Sequence, residues 1–87
     1  MTEPVTVLYF AWLRERAGMS RQEIVLPAEV RSVAALLDHL ATLGPGHASA
    51  LQNRGSVRAA VNQEFADLAA PVRPGDEVAL FPPVTGR

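Results

Sequence analysis

Apolar and polar positions divide this chain into short elements. From Val5 to Phe10 (VTVLYF) β-branched and aromatic residues run unbroken, which predicts a strand. Val5, Val7 and Tyr9 share one face, and Thr6, Leu8 and Phe10 the other. With both faces largely apolar, this strand belongs at the centre of a sheet or beneath a second contact. Ala11 to Ala17 allows one or two helical turns, with Gly18 suited to their end. Gln22 to Leu26 reads as a second strand, antiparallel to the first. Next comes the strongest periodic signal: Ser32 as N-cap, then Val33, Leu36, Leu37, Leu40 and Leu43 on one helical stripe, with Gly44-Pro45-Gly46 as its stop. His47 to Arg54 is ambiguous and allows a short helix. Ser56 to Val61 predicts a third strand, Asn62-Gln63 a turn, and Glu64 to Leu68 a short strand. Pro74-Gly75-Asp76 marks a turn, and Glu77 to Phe81 (EVALF) forms the last strand. Pro82-Pro83 ends its pairing, because neither residue has an N–H to give.

The order β-β-α-β-(β)-β implies an α+β domain, a mixed sheet of four to five strands with one main helix packed on one face. The domain is expected over residues 1–81, with residues 82–87 as an extended C-terminal tail.

Composition narrows the function. Eighty-seven residues make one domain, and 48% hydrophobic residues make a packed core. With no Cys there is no disulfide, Cys nucleophile or thiolate metal site on this chain. Eight basic residues, all Arg, stand against nine acidic ones without a basic block, so nucleic acid is not an expected partner. The start MTEPVTVLYF has neither a basic leader nor a long apolar run. A cytoplasmic protein without a membrane partner is expected.

No self-contained active site is visible. His39 and His47 are expected at the surface, and two lone His without Cys do not make a metal site. Asp76-Glu77 reads as turn chemistry, Arg14-Glu15-Arg16 as a solvated helical face, and Trp12 as a partly buried anchor. Neither a nucleophile elbow nor a phosphate loop occurs.

The tail is different. Phe81-Pro82-Pro83-Val84-Thr85-Gly86 leaves the last strand along a path stiffened by two fixed φ angles, and Gly86 adds no Cβ. A stiff stem with a slim tip suits delivery of a terminal carboxylate into another protein's active site. A plain chain end fits the residues equally well. Phe81, Val84 and Phe10 could form an apolar patch where sheet meets tail; core packing is the competing role for Phe10 and Phe81.

The residues Ala59-Ala60-Val61-Asn62-Gln63, and then Pro74-Gly75-Asp76-Glu77-Val78-Ala79-Leu80-Phe81-Pro82-Pro83-Val84-Thr85-Gly86, resemble the MoaD-type small subunit of molybdopterin synthase. Val7 to Ala11 with Leu13-Arg14-Glu15, and the helical stripe, are similar too. The resemblance implies a ubiquitin-like β-grasp fold and a sulfur carrier. By that likeness an activating enzyme uses ATP to adenylate the C-terminal glycine carboxylate, and a sulfur donor converts the adenylate to a thiocarboxylate. The tail then enters the large subunit, which supplies the catalytic side chains and passes the sulfur to precursor Z. The carrier itself binds no cofactor. Gly86 would be the reacting tail glycine, and Phe10, Phe81, Pro82, Pro83, Val84 and Thr85 the partner contacts.

One position departs from the pattern. The family ends in Gly-Gly and this chain ends in Gly86-Arg87. A long, permanently charged side chain is poorly suited to a glycine-fitted channel. A changed last residue, trimming after synthesis, loss of sulfur transfer, and a pathway that accepts Arg are all open explanations. Two other functions also remain: a β-grasp docking module that carries nothing, and a carrier serving thiamine or tRNA thiolation.

Overall fold

The computed structural model describes residues 3–83. Strand β1 (Val5–Tyr9) is followed by helix α1 (Trp12–Ala17), strand β2 (Arg21–Ile24), helix α2 (Val33–Ala41) and helix α3 (Pro45–Ala50). A 3-10 turn (Arg54–Ser56) leads to strands β3 (Arg58–Val61), β4 (Glu64–Ala66) and β5 (Glu77–Phe81). The sheet order is β2-β1-β5-β3-β4. β1 and β5 are parallel, while the other neighbours are antiparallel.

The doubly apolar first strand does lie inside the sheet, paired on both sides. Its Val5, Val7 and Tyr9 side chains are buried, as are Val78 and Leu80 of β5 beside them. Helix α2 covers this face with Val33, Leu36, Leu37 and Leu40. Ser32 caps it as expected, its Oγ accepting from the Ala35 N–H at 3.1 Å. The hairpin between β3 and β4 turns at Asn62 and Gln63, with φ of 51° and 72°; two consecutive positive φ values match the right-handed twist of the strands.

Several boundaries differ from the sequence reading, each for a local reason. β1 stops at Tyr9, so Phe10 leads into the turn. β2 begins one residue early and ends at Ile24, leaving Val25 exposed. β3 starts at Arg58 because Arg54–Ser56 forms a 3-10 turn instead. Helix α2 ends at Ala41, where Thr42 donates its hydroxyl to the His39 carbonyl. Leu43 therefore leaves the stripe and is 41% exposed. Gly44-Pro45-Gly46 opens α3 rather than closing α2: Pro45 takes the first helical positions, where a missing N–H does no harm. A Cβ on Gly46 would stand 2.5 Å from the Arg16 carbonyl oxygen, so α3 can lie against α1 only with glycine there.

His47 corrects a second expectation: it is buried, at 7% exposure, not at the surface. The α3 turn carries it inward over β1 and β2. Gln22 Oε1 accepts from the Tyr9 hydroxyl at 2.9 Å and lies 3.0 Å from His47 Nε2. With that oxygen as acceptor twice, the proton of this contact sits on His47 Nε2. Its ring meets the Tyr9 ring edge-on at 5.8 Å. Burial lowers the His47 pKa from the usual histidine value and pushes the Tyr9 phenol up to about 12.

A pH dependence follows. Because the folded-state pKa is depressed, the unfolded chain binds the proton first. The stabilisation from neutral His47 is complete above roughly pH 6.5 and is lost as the pH falls below it, down to the folded-state pKa. The melting temperature is expected to drop between pH 7 and pH 5, more steeply in the wild type than in His47→Gln. Parallel melting curves for the two proteins would show that His47 does not carry the effect.

Candidate functional site

The face of the sheet opposite α2 has no covering element among the described residues. Alternation fixes what it displays: with Val5, Val7, Tyr9, Ala59, Val78 and Leu80 turned inward, Thr6, Leu8, Phe10, Arg58, Ala60, Ala79 and Phe81 turn outward. The register arranges them in rows. Leu8 pairs with Ala79, Ala79 with Ala60, and Ala60 with Phe65, a continuous apolar row across four strands. A second row lies nearer the tail. Phe81 pairs with Arg58, and Phe10 follows the Tyr9–Leu80 pair, its N–H donating to the Leu80 carbonyl at 3.0 Å.

This row decides between core and surface for the two phenylalanines. Phe10 is 48% exposed, Phe81 half-buried, and neither belongs to the core. Phe65, which the sequence reading did not single out, is 85% exposed and meets Phe81 with ring centroids 5.8 Å apart. Three aromatic rings on one uncovered face form the kind of apolar patch that marks a partner site. The signal for Phe65 was available: a two-residue turn at Asn62-Gln63 sets Phe65 across from Ala60, on the face that Ala59 does not share.

Ala11, between Phe10 and α1, has φ 56° and ψ −134°, a conformation that costs a non-glycine residue about 1–3 kcal/mol. This sharp bend follows Phe10, just past the end of β1, and starts α1, whose Trp12 carries the Arg16 guanidinium 5.0 Å above its ring. Arg14, Glu15 and Arg16 are exposed, as expected.

Pro82 and Pro83 follow Phe81 directly and are half-buried. Of the expected site residues, Phe10, Phe81, Pro82 and Pro83 therefore lie together at one end of the uncovered face. Val84, Thr85, Gly86 and Arg87 lie outside the described residues. Among the described residues no cluster of three or more His, Cys, Asp or Glu could hold a metal ion, and no helix is long and apolar enough to cross a membrane.

A mixed five-stranded sheet with its main helix on one face, and with its last strand at the centre running into Pro-Pro, defines a ubiquitin-like β-grasp protein. Within that class the chain belongs to the ThiS family, whose match spans residues 7–86. It is 43% identical over 82 residues to the molybdopterin synthase sulfur carrier subunit of Escherichia coli, covering 94% of this chain and 98% of that one. A Pyrococcus furiosus protein described as subunit 1 of a molybdopterin converting factor superposes with a TM-score of 0.77 at 31% identity, over 95% of this chain and 100% of the other. A chain from the Helicobacter pylori complex of subunits 1 and 2 of the molybdopterin-converting factor superposes with a TM-score of 0.63 at 25% identity, over 97% and 99%.

Proposed function

We propose that this chain is the sulfur-carrier small subunit of a molybdopterin synthase, acting in the cytoplasm. The observation that carries the reading is the uncovered aromatic face running straight into Phe81-Pro82-Pro83. In this reading Phe10, Phe81, Pro82 and Pro83 seat the large subunit, and Val84-Thr85-Gly86 reaches its active site. The likeness to carriers of known name and to one half of a two-subunit complex supports it.

The chemistry then lies at the terminal carboxylate. An activating enzyme transfers AMP from ATP to that carboxylate, releasing pyrophosphate and making a poor electrophile reactive. A sulfur donor displaces AMP and leaves a thiocarboxylate. The large subunit passes the sulfur to precursor Z. The carrier contributes the atom carried and the docking face, and the large subunit contributes the catalytic side chains. The two proline φ values reduce the conformational freedom lost when the tail is threaded.

A second reading is a docking module that keeps the uncovered face and transfers no sulfur. Intact-mass measurement separates the two. The chain incubated with the activating enzyme, ATP and a sulfur donor is expected to gain one sulfur in place of one oxygen at its terminal carboxylate. Only unmodified chain, in the wild type and in an Arg87→Gly variant alike, would overturn the carrier reading. A gain confined to Arg87→Gly would show a competent body with an unsuited tip.

A further inference from the structure

At the β4 edge of the sheet a groove of about 720 Å³ runs from the uncovered face around to α2. It exists because β4 pairs with β3 only from Ala59 to Val61. Beyond Ala66 the chain leaves the sheet for the start of α2, where the Leu68 carbonyl accepts from the Ala34 N–H at 2.9 Å. Val33 and Leu37 stand at the helix side of the groove, Phe65 and Phe81 at the sheet side. Two arginines and one acid line it: Arg54, Arg58 and Asp67.

The two arginines differ. Arg54 is paired, its Nη2 2.9 Å from Asp38 Oδ1, and its Nε donates to the Leu51 carbonyl. Arg58 is exposed, and neither ion pair among the described residues, Arg21–Glu23 or Arg54–Asp38, includes it. Its Nη1 donates to the carbonyls of Gly55 and Val57, at 3.1 and 3.3 Å. Among the described residues Nη2 and Nε have no hydrogen-bond partner. Yet Arg58 is the cross-strand neighbour of Phe81, one residue from the proline stem. Anything that covers Phe81 and Phe65 also takes water away from this guanidinium. A covered, unpaired charge is strongly unfavourable, and arginine cannot give up its proton to avoid it.

We propose that Arg58 selects a large subunit that presents an Asp or Glu carboxylate beside the tail channel, seated at the groove mouth between Phe81 and Asp67. The free Nη2 and Nε edge of the guanidinium matches a carboxylate's two oxygens in a planar, two-bond arrangement. An apolar-only partner would seal the patch but strand the charge, and a basic one would be repelled. Arg58 is thus a specificity residue on an otherwise apolar face. The inference deepens the carrier reading and rests on it.

The test is calorimetric titration of the full chain with the purified large subunit from the same source, at low and at high salt. Arg58→Ala is expected to weaken binding about 30-fold and Arg58→Glu at least about 100-fold, with a flatter salt dependence in both. Arg58→Lys should recover only part of the affinity lost in Arg58→Ala, since a point charge meets the carboxylate without the two-bond geometry. Melting curves identify any variant that is not folded, and Arg58→Gln then serves in its place. Affinity and salt slope unchanged in folded Arg58 variants, with the wild type binding well, would overturn the inference and leave the carrier reading standing. Absence of binding by the wild type itself would overturn both.

Discussion

Phe81→Asp is expected to weaken association with the large subunit by about 3 kcal/mol or more, a loss of over 100-fold, with little change in folding. Phe81 is outward on β5, the strand from which the proline stem leaves, with Phe65 against its ring and Arg58 across from it. Aromatic side chains at the centre of a patch carry most of an interface's free energy, and a carboxylate there would need to be desolvated. The core should tolerate the change, because Val78 and Leu80 hold the inward face of the same strand. Binding measured by calorimetry, together with a thermal melt, checks both halves. Wild-type affinity in a folded Phe81→Asp protein would show that the partner docks elsewhere.

The second large effect is on stability. Leu36→Ala should lower the unfolding free energy by about 3 kcal/mol, from lost transfer energy and the cavity left behind. A domain of this size has roughly 5–10 kcal/mol in total, so the variant would keep about 2–7 kcal/mol and melt at a clearly lower temperature. Leu36 is fully buried. Leu43, on the same heptad-like stripe of the sequence, projects beyond the helix end and is 41% exposed; Leu43→Ala should change stability by no more than about 0.5 kcal/mol. Urea denaturation of the two variants gives the comparison directly. Equal losses would mean that α2 meets the sheet through a different face.

That pair shows where sequence periodicity stops being informative. The stripe from Val33 to Leu40 is legible because burial on a helix repeats every three or four residues. Whether Leu43 continues it depends on Thr42, whose hydroxyl bonds the His39 carbonyl and closes the helix. Strand β5 is legible to the residue because turn and proline signals bracket it. β2 is less so, since Arg21, Gln22 and Glu23 lie on an edge strand with few apolar positions to set its register.

The candidate site divides in the same way. Pro82 and Pro83 announce themselves in the sequence, and Phe10 and Phe81 can be suspected. Their place outside the core needs the strand register. Arg58 and Phe65 gain meaning only from pairing across β3, β4 and β5. His47 is the clearest case of information absent from local sequence: its hydrogen-bond partner Gln22 is 25 positions away. Nothing around Gly46 indicates that the turn would swing the ring inward. A buried polar contact of that separation is visible only once the chain has folded.

The parallel pairing of β1 with β5 has a consequence for how the protein comes into being. Val7 is synthesised 71 residues before its neighbour Val78. Until Glu77–Phe81 have been made, β1 has one free edge, β3 lacks its inner neighbour, and α2 has only part of a surface to cover. The central contacts join distant parts of the chain, so folding is governed by loop closure and is expected on the millisecond-to-second scale rather than the microsecond scale of helical domains. The same strand that completes the sheet also carries Phe81 to its surface. A nascent chain therefore cannot present Phe81, the centre of the proposed docking face, until the strand that completes the sheet has been made.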